Sequence, residues 1–192
     1  MSDLTLDITP PGTVAALLRS GARTLEGRSE SPRLDAELLL GHVLGLPRSA
    51  LIARDRDTVA TDRARTYAGL IDERLRGSPI AYLTGVREFW SLTLEVTPAV
   101  LVPRPETELL VERALELLPS HRPAHGNPYS VLDLGTGSGA IALALASERP
   151  LWQVTGIDIS PPALDLALQN ARRLGLAHID WLLRAACDLP AR

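Results

Sequence analysis

The stretch VLDLGTGSGAIALALA, residues 131–146, decides the fold. It passes from a short apolar run, through three glycines at alternate positions, into an alanine-rich run of helical character. A strand that turns on glycines and continues as a helix is the opening of a βαβ unit. Gly135 can take a backbone angle closed to other residues, Gly137 lets the main chain approach a ligand, and Gly139 lets helix and strand pack closely. Thr136 and Ser138 complete the turn, and the free N–H groups of the following helix point back at it.

Outward from that turn, the pattern predicts strands over 130–134 and 152–157 and helices over 138–148 and 161–174. This βαβα run makes the sheet parallel. The second strand ends in GIDIS, which places Asp158 about 20 residues beyond the first glycine, where a carboxylate can receive both hydroxyls of a ribose. An adenosine-containing cofactor follows, with two forms open. Gly135, Gly137 and Ala140 satisfy the dinucleotide pattern of NAD sites. Asp133 favours S-adenosyl-L-methionine, because it can face a charged amino-acid group where a pyrophosphate would be repelled. A phosphate-binding Walker loop is excluded, since no Gly-Lys-Ser/Thr is present.

Upstream, helical spacing runs through residues 13–27, through SPRLDAELLLGHVLG and from Thr61 onward. Ser31 reads as an N-cap with Pro32 in the first turn, and Leu34, Leu38, Leu39 and Val43 read as one apolar face. In the last of these helices Tyr67, Leu70, Ile71 and Leu75 point inward. Residues 1–77 are thus expected as a small helical domain. Residues 78–100 carry strand alternation and are read as a β-hairpin linker with its turn around Gly85, and 101–192 as the cofactor domain. In LVPRPETE, residues 101–108, two prolines stiffen the backbone and deliver Glu106, Thr107 and Glu108 to the start of a helix over 106–118. Those polar residues are either ordinary helix-start chemistry or part of a site.

All 20 basic residues are arginine and the net charge is -3, without a basic block that would mark a nucleic-acid surface. One cysteine, Cys187, forms no internal disulfide, which fits a reducing cytoplasm. The first residues lack signal-peptide character and no 18-residue apolar run occurs, so no membrane association is expected. His42, His121, His125 and His178 show no metal-ligand spacing, and no metal is expected.

The run PIAYLTGVREFWSLTLEVTPAVLVPRPETELLVERAL, followed by VLDLGTGSGAIALALASERP, closely resembles the HemK/PrmC family. The resemblance covers residues 13–178 and rests on AYLTG, EFWSL and PRPETE together with GTGSG. It implies an α/β fold: an amino-terminal helical domain, a β-hairpin linker and a Rossmann-like class I S-adenosylmethionine methyltransferase domain, here incomplete. The implied reaction is N5-methylation of the glutamine in the Gly-Gly-Gln motif of peptide chain release factors by a cytoplasmic monomer. By position, Gly135 to Gly139 resemble the cofactor loop, Asp158 the ribose ligand and Glu106, Thr107 and Glu108 the active-site lining. The pair Asp180–Trp181 resembles the family's aspartate–tryptophan pair, with Trp181 against the adenine.

The family's Asn-Pro-Pro-Tyr substrate motif is missing, and its position would fall past Arg192. The tail LLRAACDLPAR, 182–192, reads more like helix than strand. A chain without that motif is expected to bind cofactor weakly and not to transfer methyl groups. Other readings are a methyltransferase for a ribosomal-protein glutamine or a DNA adenine, or a non-catalytic fragment that binds release factors.

Overall fold

The structure, a computed structural model, describes residues 12–118 and 129–185. It divides into two compact units, Met1–Thr84 and Gly85–Arg192.

The first unit is helical: α1 (Val14–Leu25), α2 (Pro32–Leu44), α3 (Arg48–Ala53), α4 (Thr61–Leu75) and α5 (Ile80–Thr84). The Thr13 hydroxyl caps α1 by accepting the Ala16 N–H at 3.3 Å. Leu17, Leu25, Leu39, Leu40, Tyr67 and Ile71 are buried together as the core, with Leu70 and Leu75 packed at its margin. The segment linking α3 to α4 straps this bundle: the Val14 N–H donates to the Asp57 carbonyl at 3.0 Å and the Val59 N–H to the Gly12 carbonyl at 3.0 Å.

The α2 helix departs from the expected pattern. Leu34 is exposed, and the buried side carries Ala36, Leu39 and Leu40. The helix packs against α1, α3, α4 and α5, so its apolar residues are not confined to one stripe and its orientation is set by its neighbours. Ser31 makes no capping bond. Instead Ser29 and Arg74 each donate to the buried Asp35 carboxylate at 2.7 Å. Glu37, also buried, accepts from Arg33 and Arg48 at 3.0 Å, and the Arg48 hydrogen bond holds its carboxyl below the usual carboxylate range against the opposing effect of burial. Two buried acids are thus paired rather than left bare.

Tyr67 explains Gly21. A Cβ at Gly21 would stand 2.0 Å from the Tyr67 hydroxyl and 2.9 Å from its ring carbon, and that hydroxyl donates to the Leu17 carbonyl at 3.4 Å. Gly21→Ala is expected to destabilise the protein by about 1–3 kcal/mol, the usual penalty of overpacking, read as an earlier chemical-denaturation midpoint with unchanged slope. Tyr67→Phe in the same background should recover part of the loss.

The second unit opens with an antiparallel hairpin, β1 (Val86–Phe89) and β2 (Leu92–Glu95), in which Phe89 faces Leu92. Its turn is Trp90–Ser91, not Gly85. Both turn residues have positive φ, 51° and 60°, the two-residue geometry that matches strand twist but that sequence normally signals with Asn or Gly. Gly85 instead lies at the open end, where its carbonyl accepts the Val96 N–H at 3.0 Å. Phe89 and Leu94 are buried in the same apolar cluster as α7 (Ala140–Glu148), so the expected linker is part of this unit's core.

A short 3-10 turn, Pro105–Thr107, leads into α6 (Glu108–Leu117). The chain then forms β3 (Ser130–Leu134), α7, β4 (Gln153–Asp158), α8 (Pro161–Arg173) and β5 (Asp180–Leu183). The sheet is parallel in the order β3-β4-β5. Helix α7 buries Ala142, Leu143, Ala144, Leu145 and Ala146, the alanines allowing close packing and the leucines filling the core. Leu182 and Leu183, expected in a helix-like tail, belong to β5, because pairing with β4 overrides their helical propensity; residues 186–192 lie outside the described residues. Among the described residues no helix is long and apolar enough to cross a membrane.

Candidate cofactor site

Parallel pairing puts the carboxyl ends of β3 and β4 side by side, with Leu134 opposite Ile157. The chain leaving β3 folds at once onto that end. The N–H groups of Gly135 and Thr136 both donate to the Ile157 carbonyl, at 2.8 and 2.9 Å, and the Gly139 N–H donates to the Thr136 carbonyl at 2.8 Å. The three loop glycines have φ of 73°, 56° and 84°, a conformation that other residues adopt only under strain. Nothing lies within 4 Å of where a Cβ of Gly135 would be, so the loop faces open space there.

Asp158 closes the loop from the neighbouring strand. Its Oδ2 accepts the Gly137 N–H at 2.9 Å and its Oδ1 accepts the Ser160 N–H at 3.0 Å. An ionised carboxylate offers about four lone-pair directions, so each oxygen keeps capacity for one further donor. Two vicinal hydroxyls match that remaining capacity.

Asp133 braces the loop from within. Its carboxylate is buried, and Oδ2 accepts the Thr136 hydroxyl at 2.7 Å and the Ala142 N–H at 3.2 Å. Both contacts shape the loop and tie it to α7. Burial pushes its pKa up, against the opposing hydrogen bonds from Thr136 and Ala142, with the nearby Asp158 charge adding to the rise. The folded protein therefore holds this proton more tightly than the unfolded chain. Between the unfolded and the raised folded value, stability falls as pH rises. Asp133→Asn is expected to remove that slope from the urea stability profile across weakly acidic pH, while the wild-type curve keeps it. A variant profile parallel to wild type would refute this account.

The Asp180–Trp181 pair is inside β5, with Trp181 in register with Gly156 of β4. The missing side chain of Gly156 makes room for the indole, which also passes beneath Gly139: a Cβ on Gly139 would be 3.1 Å from the ring. Trp181 therefore packs between Gly156 and the end of the glycine loop at Gly139. Thr136 and Ser138 are both buried.

In the PRPETE segment, Glu106 is exposed and Thr107 half-buried, in and ending the 3-10 turn. Val100, three residues before the segment, lies beside the loop, its Cβ 3.9 Å from where a Cβ of Gly137 would be. Glu108 turns the other way: its Oε1 accepts the Trp90 N–H at 2.9 Å, while the Trp90 indole donates to Glu148 at 2.9 Å. The glutamate that resembled active-site lining thus holds the strained hairpin turn. His42 and His178 are exposed, and among the described residues no group of three or more His, Cys, Asp or Glu could hold a metal ion; His121, His125 and Cys187 lie outside them.

Comparison with known proteins agrees with this arrangement. Residues 16–85 match the PrmC N-terminal domain family and residues 131–192 match a methyltransferase domain family. The release factor glutamine methyltransferase of Escherichia coli (strain K12) is 49% identical over 158 residues, which is 80% of this chain and 55% of that protein. Its counterpart in Aliivibrio fischeri is 48% identical over 171 residues, 88% of this chain and 58% of that protein. That of Moorella thermoacetica is 46% identical over 177 residues, 92% of this chain and 61% of that protein. The chain thus joins a PrmC N-terminal domain to a methyltransferase domain.

It spans a little more than half the length of these relatives. The methyltransferase-domain match begins within β3 and takes in the glycine loop and Asp158. Asn170 of α8, wholly buried and bonded to the loop, escaped the sequence reading. The only available signal was an amide on the inward stripe formed by Leu166, Ala167 and Ala171, a polar group that must find partners when buried.

Proposed function

We propose that this chain is the docking and cofactor-binding portion of an S-adenosylmethionine-dependent methyltransferase that modifies the glutamine of peptide chain release factors in the cytoplasm. The observation that carries the reading is the junction of the glycine loop with Asp158, which leaves a carboxylate with spare acceptor capacity beside an open, backbone-lined turn. The residues fit a ribose and its attached amino-acid arm. Asp158 holds the hydroxyls, and the main chain of Gly135 to Gly139 lies along the arm. Bound there, S-adenosylmethionine supplies an electrophilic methyl group.

The acceptor would be an amide nitrogen, whose lone pair is delocalised into its carbonyl. Such a nucleophile needs to be held in line and to have its N–H groups accepted by the protein. Glu106 and Thr107 are the candidates in this chain for lining that position, and the helical unit is the candidate for gripping the release factor. The Asn-Pro-Pro-Tyr motif that suits the amide is not in the 192 residues, so the chain by itself binds without completing the transfer.

Calorimetric titration with S-adenosylhomocysteine and, separately, with NAD tests the cofactor reading. Tighter binding of S-adenosylhomocysteine supports it, and tighter binding of NAD overturns it. Release-factor capture without transfer of radiolabelled methyl is the expected result for the partner. Loss of capture on removing residues 1–84 would place the grip in the helical unit.

A further inference from the structure

Asn170 is buried completely in α8, and its side-chain amide meets two different parts of the second unit. Its Oδ1 accepts the Glu95 N–H at 2.7 Å, and its Nδ2 donates to the Glu95 carbonyl at 3.0 Å. This is the pairing an adjacent strand would make, so the amide acts as a one-residue strand edge for the end of β2. The second hydrogen on Nδ2 goes to the Ser138 carbonyl at 3.0 Å, in the middle of the glycine loop. Both donors and the acceptor oxygen are therefore used. Arg173, one turn further along α8, pairs with the Glu95 carboxylate at 2.7 Å and ties the same residue from the surface.

The geometry points to Asn170 as a positioning residue that couples the hairpin to the cofactor loop, a role that rests on reading the loop as the cofactor site. The Ser138 carbonyl lies between Gly137, whose N–H reaches Asp158, and Gly139, which starts α7. Moving β2 moves the amide, and moving the amide shifts the carbonyl that fixes the loop. An aspartate at this position keeps the acceptor for Glu95 but aims a carboxylate oxygen at two carbonyls. Within a buried site such a mismatch is felt by both partners.

Amide hydrogen exchange in wild type and Asn170→Asp tests the coupling without any ligand. The expected result is exchange about tenfold faster at Glu95 and also at Gly137 and Gly139. Affinity for S-adenosylhomocysteine should fall about tenfold in the same variant, with the far-ultraviolet circular dichroism retained. Faster exchange at Glu95 alone, with loop amides and affinity unchanged, overturns the proposal. Joint acceleration in a protein whose wild type takes up no S-adenosylhomocysteine leaves the coupling standing and removes the cofactor reading. Should Asn170→Asp fail to fold, Gly137→Ala strains the loop at φ 56° without touching Asn170. Faster exchange at Glu95 in that variant supports the coupling, and an unchanged rate overturns it.

Discussion

Asp158→Ala is expected to weaken S-adenosylhomocysteine binding about 100-fold, the combined effect of losing two hydrogen bonds to a charged acceptor. The carboxylate acts twice. It organises the loop through the Gly137 N–H and the following turn through the Ser160 N–H, and it keeps one acceptor direction per oxygen for a ligand. Alanine removes all of these. Asp158→Asn separates the two roles, since the amide oxygen can still accept from one backbone N–H while the charge and the second acceptor are lost. It should weaken binding about tenfold and leave the melting temperature closer to wild type. Isothermal titration of the three proteins decides the matter. An alanine variant that binds within threefold of wild type would place the ligand elsewhere.

The largest expected loss of stability comes from a single methyl group. Gly156→Ala puts a Cβ 2.4 and 2.6 Å from two carbons of the Trp181 ring and 3.1 Å from the Thr136 hydroxyl. The ring is hemmed in, since its Cη2 lies 3.1 Å from where a Cβ of Gly139 would be and it packs against the apolar core. Thr136 cannot yield without releasing Asp133, which is buried. The variant is expected to lose about 3 kcal/mol, at the upper end of overpacking effects, and to expose loop amides to exchange. Trp181→Leu in the same chain should restore much of that loss, giving a coupling energy of about 1–3 kcal/mol in a double-mutant cycle. Additive losses would mean that the ring does not occupy the space above Gly156.

The glycine loop and Asp158 were legible because their chemistry is backbone chemistry. Gly135, Gly137 and Gly139 announce positive φ by having no side chain, and the strand-to-strand spacing brings Asp158 to the same end of the sheet. The place of Trp181 inside β5 was not legible, for the opposite reason. Its dipeptide is compatible with a turn or a strand, and only pairing with Gly156 chooses between them. Glu108 is a similar case: a glutamate at a helix start has a local explanation, yet its carboxylate answers a backbone N–H 18 residues away in a hairpin turn. The turn itself was hidden, since neither Trp90 nor Ser91 is the Gly or Asn that a positive-φ hairpin turn usually carries, and Trp90 is held by Glu108 and Glu148 instead.

What the amino-acid sequence determined by itself was the order of elements, the parallel βαβα run, the loop and the carboxylate that faces it. These follow from periodicity and glycine placement, which act over a few neighbouring residues. Only the tertiary structure decided which polar groups are turned inward. Asp133 became a loop brace, Asn170 a bridge between Glu95 and Ser138, and Asp35 and Glu37 buried partners of arginines. A buried polar group must be satisfied, and its partner can come from any part of the chain that packing brings near. Local pattern carries no record of that choice.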